Sequence, residues 1–289
     1  MLMGLYSKSH RKPFVVALAA GACTIVSALP ADAAETRLSE ILERGVVRVG
    51  VQGAFKPWSY PSPDGTMQGI EVDLAKDVAD KLGVKLETVI INSANRIQFL
   101  QQGKIDLIIG GMYDTTERRK AVGIIEPAYW TSGPTLMAKK GVIKDWKDIE
   151  GKPVCGKQGV AYNKKVEQDY KVRIVAFAGN SEGKEALRSG KCVAWLYDDV
   201  SIMADLEAPE WADYEMPVSV LYNNPWAAAV PLEELDKPWG VFMTGMAYRW
   251  QSTGKLVELE GQYKLKPSEW FAQQHEKHRW DASYLEGGK

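Results

Sequence analysis

Val46-Val47-Arg48-Val49-Gly50-Val51 is a near-continuous apolar run of strand length, and the loop behind it, 52–57, carries Gly53 and Pro57. Such a run predicts a buried strand of a parallel sheet. A short helix over 36–44 precedes it, and a polar turn over 61–65 follows. Ile70, Leu74, Val78 and Leu82 then recur every four residues, which predicts a helix over 70–82 with Gly83 as its C-cap. A strand over 86–91, a helix over 94–102 capped by Gly103, and a strand over 105–109 complete the unit. Strand and helix alternate throughout, the signature of a doubly wound α/β arrangement.

The same order returns in the second half. Strand 153–156, helix 161–169, strand 173–177, helix 182–189 with Gly190 as cap, and strand 192–197 follow one another. Helices over 236–251, 255–263 and 267–278 close the chain, and there is no low-complexity segment or short-period repeat. The expected architecture is therefore two doubly wound α/β lobes joined by a two-segment hinge. One lobe is expected from residues 34–130 plus 227–289 and the other from 131–226, with crossings near 128–132 and 224–228. In open α/β sheets a ligand sits beyond the carboxyl ends of the strands, which selects 52–58, 110–118, 157–161 and 197–199.

Composition narrows the ligand. The 289 residues are 45% hydrophobic and 25% charged, with a formal net charge of −1. Residues 1–33 read as a cleavable signal peptide. Lys8, Arg11 and Lys12 precede an apolar stretch over 14–29, and Ala31-Asp32-Ala33 is a small-residue cleavage site. The expected location is the periplasm, with a mature start near Ala34. Cys23 follows Ala20-Gly21-Ala22, without the leucine of a lipoprotein signal, and no other apolar run approaches membrane-spanning length. Without the leader the balance is 36 − 3 = 33 basic against 37 − 1 = 36 acidic residues. Such a surface has no electrostatic footprint for nucleic acid or anionic lipid. The two remaining cysteines, Cys155 and Cys192, are an even pair in an oxidising compartment, so a disulfide is expected. Two distant thiolates with only His275 and His278 make a poor zinc signature, and neither metal nor cofactor is expected.

At the selected edges stand one notable cation, Arg118, and one notable pair of anions, Asp198 and Asp199. A guanidinium forks onto a carboxylate, and a buried carboxylate suits an ammonium. Arginine on one lobe and aspartate on the other are what a zwitterionic α-amino acid needs. The competing reading is a set of solvated surface charges.

Further motifs support the first reading. Lobe one carries Gly50-Val51-Gln52-Gly53-Ala54-Phe55-Lys56-Pro57-Trp58, Gly69-Ile70-Glu71-Val72-Asp73-Leu74, Asn95-Arg96-Ile97, Gly103-Lys104-Ile105-Asp106 and Thr115-Thr116-Glu117-Arg118. Lobe two carries Gly151-Lys152-Pro153-Val154-Cys155, Gln158-Gly159, and Gly190-Lys191-Cys192-Val193-Ala194 ahead of Asp198. In this order and spacing, from about residue 38 onward, the chain resembles the polar amino-acid-binding branch of the periplasmic solute-binding proteins that serve ABC importers. The resemblance implies a type II periplasmic binding protein fold. It implies that Arg118 clamps the ligand α-carboxylate, that Asp198 receives the α-ammonium, and that Gly111 and Tyr113 meet these groups through backbone and hydroxyl. Val160 and Ala161 correspond to a helix start whose N–H groups complete the carboxylate site. Phe55 and Trp58 correspond to aromatics of the first loop, while Gln52, Arg96, Lys157 and Tyr197 shape the side-chain pocket. Arg96 matches a position that holds the second carboxylate in some acidic-amino-acid binders, whereas Gln52 stands where one such group has another arginine. Tyr113 replaces a small hydroxyl residue, Val160 lacks a hydroxyl, and Gly123-Ile124-Ile125-Glu126 replaces an acidic-x-Phe-Ser run.

The implied activity is capture of a free polar, potentially acidic, L-amino acid by a monomer that closes on it and delivers it to an inner-membrane ABC permease complex. No enzyme is expected, since His-Glu-x-x-His does not occur and the two remaining histidines, His275 and His278, lie near the carboxyl end, away from every expected strand edge. The rivals are a dehydratase of prephenate-like acids on the same fold, with Asp199 or Glu126 as the acid, and a ligand-sensing binding protein. Of the ten tryptophans, Trp239, Trp250 and Trp270 read as core anchors. Trp130 and Trp226 fall near the expected crossings.

Overall fold

The computed structural model describes residues 36–265 and 267–279; the leader, residues 1–33, lies outside them. Two lobes each carry a five-stranded sheet. In the first, Lys85–Ile91, Val46–Gln52 and Leu107–Ile108 run parallel in that order, with Gly50 opposite both Val89 and Ile108. Ala229–Val230 then lies antiparallel between Leu107–Ile108 and Gly123–Ile124. In the second, Arg173–Phe177, Pro153–Lys157 and Ala194–Asp198 run parallel. Pro134–Lys139 and Tyr214–Glu215 extend that sheet antiparallel. The parallel strand that comes first in the sequence thus lies between its two parallel neighbours in both lobes, and its carboxyl end, Gln52 or Lys157, sits among the loops that carry the site. Trp130–Ser132 and Asn224–Trp226 pair antiparallel, with Trp226 opposite Trp130, and carry the chain between the sheets.

Local chemistry sets the elements. Helix Ile70–Leu82 buries Ile70, Leu74, Ala75 and Val78, and Gly83 ends it in the left-handed region. Its N-cap, Gly69, has φ 124°, and a Cβ there would meet the carbonyl oxygen of Trp58 at 2.3 Å, so only glycine fits. The expected helix over 94–102 is shortened to Arg96–Gln101. Asn92 Oδ1 accepts from the N–H groups of Ala94 and Asn95, both at 2.9 Å, and this turn holds the backbone out of the helix. The expected helix over 161–169 begins only at Asn163, whose side-chain amide donates to the Lys157 carbonyl at 2.8 Å. Helix Asn180–Arg188 begins two residues ahead of expectation, and the last parallel strand ends on Asp198.

Buried Asp106 ties the first helix to the sheet, at 2.5 Å from Arg44 and 2.8 Å from Arg48. Trp239 donates to the Asp106 carbonyl and Trp250 to Asp77, each at 2.8 Å, so helix Pro238–Ser252 packs on the first lobe through buried indoles. Trp270 is half-buried against Phe271. Cys155 and Cys192 form a disulfide that fastens the middle one of the three parallel strands of the second sheet to the approach of its neighbour. Among the described residues no helix is long and apolar enough to cross a membrane.

Candidate functional site

The strand ends of the two lobes meet over a buried cluster of charge. Arg96, Arg118, Glu71 and Gln52 come from the first lobe; Lys157 and Asp198 come from the second, and all six are buried. Thr115 caps the short helix Thr116–Arg119 and thereby aims Arg118 back into the cleft. Arg118 Nη1 donates to the Tyr113 carbonyl at 2.8 Å, and Nη2 crosses to the Gly159 carbonyl of the second lobe at 3.1 Å. Asp198 ends its strand with Oδ1 accepting from the hydroxyls of Tyr113 at 2.5 Å and Tyr162 at 3.2 Å. Lys157 Nζ donates to Gln52 Oε1 and, at 3.3 Å, to the Tyr197 hydroxyl. Gln52 Nε2 and Arg96 Nη1 converge on the Gly110 carbonyl at 3.0 and 2.8 Å. Arg96 Nε has no partner among the described residues.

Burial governs the electrostatics. It raises the Asp198 carboxyl to about 7, against the hydrogen bonds from Tyr113 and Tyr162. It lowers Lys157 to about 7, with Arg96 adding to the effect, and Arg118 to about 9. Both arginines remain cations at neutral pH.

The expected site residues are not all brought together. Phe55 is buried, with its ring 5.9 Å from Tyr197 across the lobes and 5.4 Å from Trp226. Trp58 packs behind it at 5.2 Å and on Trp130. Gly111 has φ 58°, and a Cβ there would meet Phe55 at 2.8 Å. Its N–H donates to Glu71 Oε1 at 2.6 Å and to the Tyr129 hydroxyl at 3.0 Å. Val160 is half-buried and Ala161 exposed. Both precede helix Asn163–Tyr170, so neither is the helix start expected. The Tyr113 hydroxyl faces Asp198.

Residues that sequence reasoning passed over complete the cluster. Glu71 is fully buried, accepting from Ser59 at 3.1 Å and Tyr129 at 2.7 Å, and burial raises its pKa. Glu71, Ala75 and Val78 follow one helical face, and an acid inside that apolar stripe was the available signal. Tyr162 had no periodic signal. Asn180 reaches across the lobes to the Ala54 carbonyl at 3.0 Å. A cavity of about 410 Å³ lined by Gln52, Asn92, Asn95, Lys157 and Asn180 flanks the cluster on one side. Another cavity, of about 980 Å³ and lined by Lys56, Trp130, Asp199 and Met203, is lined by none of the six cluster residues.

Residues 47–266 match the profile of the bacterial extracellular solute-binding proteins, family 3. The chain is 27% identical over 187 residues to the glutamate/aspartate import solute-binding protein of Salmonella typhimurium, covering 61% of this chain and 62% of that protein. It is 29% identical over 173 residues to the L-cystine-binding protein TcyJ of Escherichia coli, covering 58% of this chain and 65% of that protein. The chain thus spans just under two thirds of the length of these relatives. Among solved structures, the solute receptor for L-cysteine of Neisseria gonorrhoeae superposes with a TM-score of 0.74 at 27% identity, covering 80% of this chain and 97% of that one. An enzyme shares part of the sequence as well: 140 residues are 34% identical to the membrane-bound lytic murein transglycosylase F of Aeromonas hydrophila, 47% of this chain and 28% of that protein.

Proposed function

Because the chain belongs to the bacterial extracellular solute-binding proteins of family 3, we propose that it is the periplasmic amino-acid-binding component of an ABC importer and that its ligand is an acidic L-amino acid. The observation that carries this reading is that buried Arg118 and buried Asp198, from opposite lobes, are both bonded to Tyr113, one at its carbonyl and the other at its hydroxyl. Arg118 grips the α-carboxylate and Asp198 the α-ammonium, so a zwitterion bridges the lobes and each lobe alone holds half of it. Open and closed arrangements exchange about the paired strands Trp130–Ser132 and Asn224–Trp226, between lobes of residues 34–130 plus 227–289 and 131–226. The ligand shifts the balance to the closed form because both grips are available only there. The closed monomer is what the permease receives.

The acidic preference follows from charge. The buried ionisable groups of the cleft comprise three basic side chains, Arg96, Arg118 and Lys157, and two acidic ones, Glu71 and Asp198, which leaves +1 when all are ionised. A dicarboxylic amino acid, net −1, neutralises that excess, and burying unbalanced charge is costly. Its second carboxylate lies toward Lys157, Arg96 and Gln52, with Phe55 and Tyr197 against its methylenes.

Binding without turnover, rather than dehydration, is supported by the engagement of the two acids that could serve as catalyst. Asp199 accepts from Ser132 at 2.6 Å and from the Gly133 N–H at 3.1 Å. Glu126 is an exposed partner of Arg119 at 2.8 Å. Calorimetry of the ligand-free protein against the common amino acids tests the proposal. One-to-one binding of L-glutamate or L-aspartate without product is expected. Binding of only neutral or basic amino acids would refute the charge argument, and binding of none would refute the function.

A further inference from the structure

We propose that Tyr113 is a specificity-determining residue that competes with the ligand's ammonium group for Asp198. The proposal rests on the reading of Asp198 as the ammonium seat. Tyr113 follows strand Leu107–Ile108 of the first lobe, and Asp198 ends a strand of the second. Its hydroxyl nevertheless donates to Asp198 Oδ1 at 2.5 Å, with both residues buried. A hydrogen bond onto an ionised carboxylate in a dry site is among the stronger ones. The phenol therefore supplies, from within the chain, the donor that an ammonium would bring.

Its position is held from three directions. The Tyr113 backbone bridges to Trp226, and its ring meets those of Trp226 and Tyr162 edge-on at 6.2 and 5.6 Å. Its carbonyl accepts from Arg118 Nη1 at 2.8 Å. One residue thus touches both the carboxylate clamp, through its backbone, and the ammonium seat, through its hydroxyl. The Tyr113 side chain also links the lobes directly, as Arg118 to Gly159 and Lys157 to Gln52 do.

The consequence is a compressed preference. At an open seat, a ligand without an ammonium leaves Asp198 unsatisfied and is rejected strongly, because an unpaired buried carboxylate is costly. With the phenol on Oδ1, that penalty is largely removed, while an ammonium must displace the phenol or share the carboxylate with it. The chain therefore discriminates less between an amino acid and its deaminated analogue than Asp198 alone would.

Calorimetry with L-glutamate and glutarate, on the wild type, Tyr113→Phe and Tyr113→Ser, tests this. Both variants should bind L-glutamate about tenfold tighter and glutarate no tighter, so the ratio of affinities rises at least tenfold. An unchanged ratio, or weaker L-glutamate binding, would overturn the proposal and make the phenol a direct ligand contact. Asp198→Asn separates the two levels. If it leaves L-glutamate binding intact, the ammonium seat is wrong. If it abolishes binding while Tyr113→Phe leaves the ratio unchanged, only the competition is wrong. Small-angle scattering of ligand-free protein gives a readout that needs no ligand: Tyr113→Phe should be more open than wild type, and identical profiles would count against the interlobe bond.

Discussion

Replacing Asp198 by asparagine keeps the shape of the side chain and an acceptor for the Tyr113 and Tyr162 hydroxyls, and removes only the charge. Burial raises the Asp198 carboxyl from 3.8 to about 7. The folded protein therefore holds this proton more tightly than the unfolded chain does. Its contribution to stability falls as the pH rises from about 4 to about 7, and above that the full cost is present. At about 1.4 kcal/mol for each tenfold in proton affinity, that cost approaches ~4 kcal/mol. Part of it returns in the variant, because ionised Asp198 helps to keep Lys157 charged. The expected net gain at pH 8 is about 2 kcal/mol. Urea unfolding of protein refolded free of ligand, followed by tryptophan fluorescence, reads this directly. The asparagine variant should be the more stable at pH 8, the gap should narrow at pH 5, and L-glutamate binding should be lost. A variant less stable than wild type at pH 8, or a gap equal at both pH values, would refute the reasoning.

Lys157→Met removes a buried cation whose pKa burial lowers from 10.5 to about 7. The cost of that charge is present below pH 7 and relieved as the pH rises toward 10.5, so the variant should gain ligand-free stability most near pH 6, with the gain fading in alkali. It should also weaken L-glutamate binding by at least tenfold while leaving any residual binding of neutral amino acids unaffected, as calorimetry would show. Cys155→Ser with Cys192→Ser opens a cross-link spanning 37 residues. By loop entropy it should lose about 4 kcal/mol in urea unfolding, and a loss below about 1 kcal/mol would mean that the unfolded chain is compact without the bond.

The parallel half of each sheet was legible because buried strands and amphipathic helices leave strong local patterns, as in Val46–Gln52 and Ile70–Leu82. The antiparallel additions were not. Ala229–Val230 and Tyr214–Glu215 are two residues each, too short for a period. Ala229 is defined by pairing with Ile108 and Ile124, both far away in sequence. The site divides in the same way. Arg118 and Asp198 stood out as charges at strand ends, where the topology needs none for folding. Val160 and Ala161 fall ahead of the helix, which starts at Asn163, where the side-chain amide bonds the Lys157 carbonyl. The fate of the Gly111 N–H depends on Glu71, which arrives from another element. Contacts that join distant segments through one side chain leave no local trace.

The central claim is that Arg118 and Asp198 together grip one zwitterion across two lobes. Its most direct test is calorimetric titration of L-glutamate and L-aspartate into ligand-free wild type, Arg118→Ala and Asp198→Ala, with circular dichroism confirming that each is folded. One-to-one binding to the wild type and none to either variant is expected. Undiminished affinity in a folded variant would contradict it.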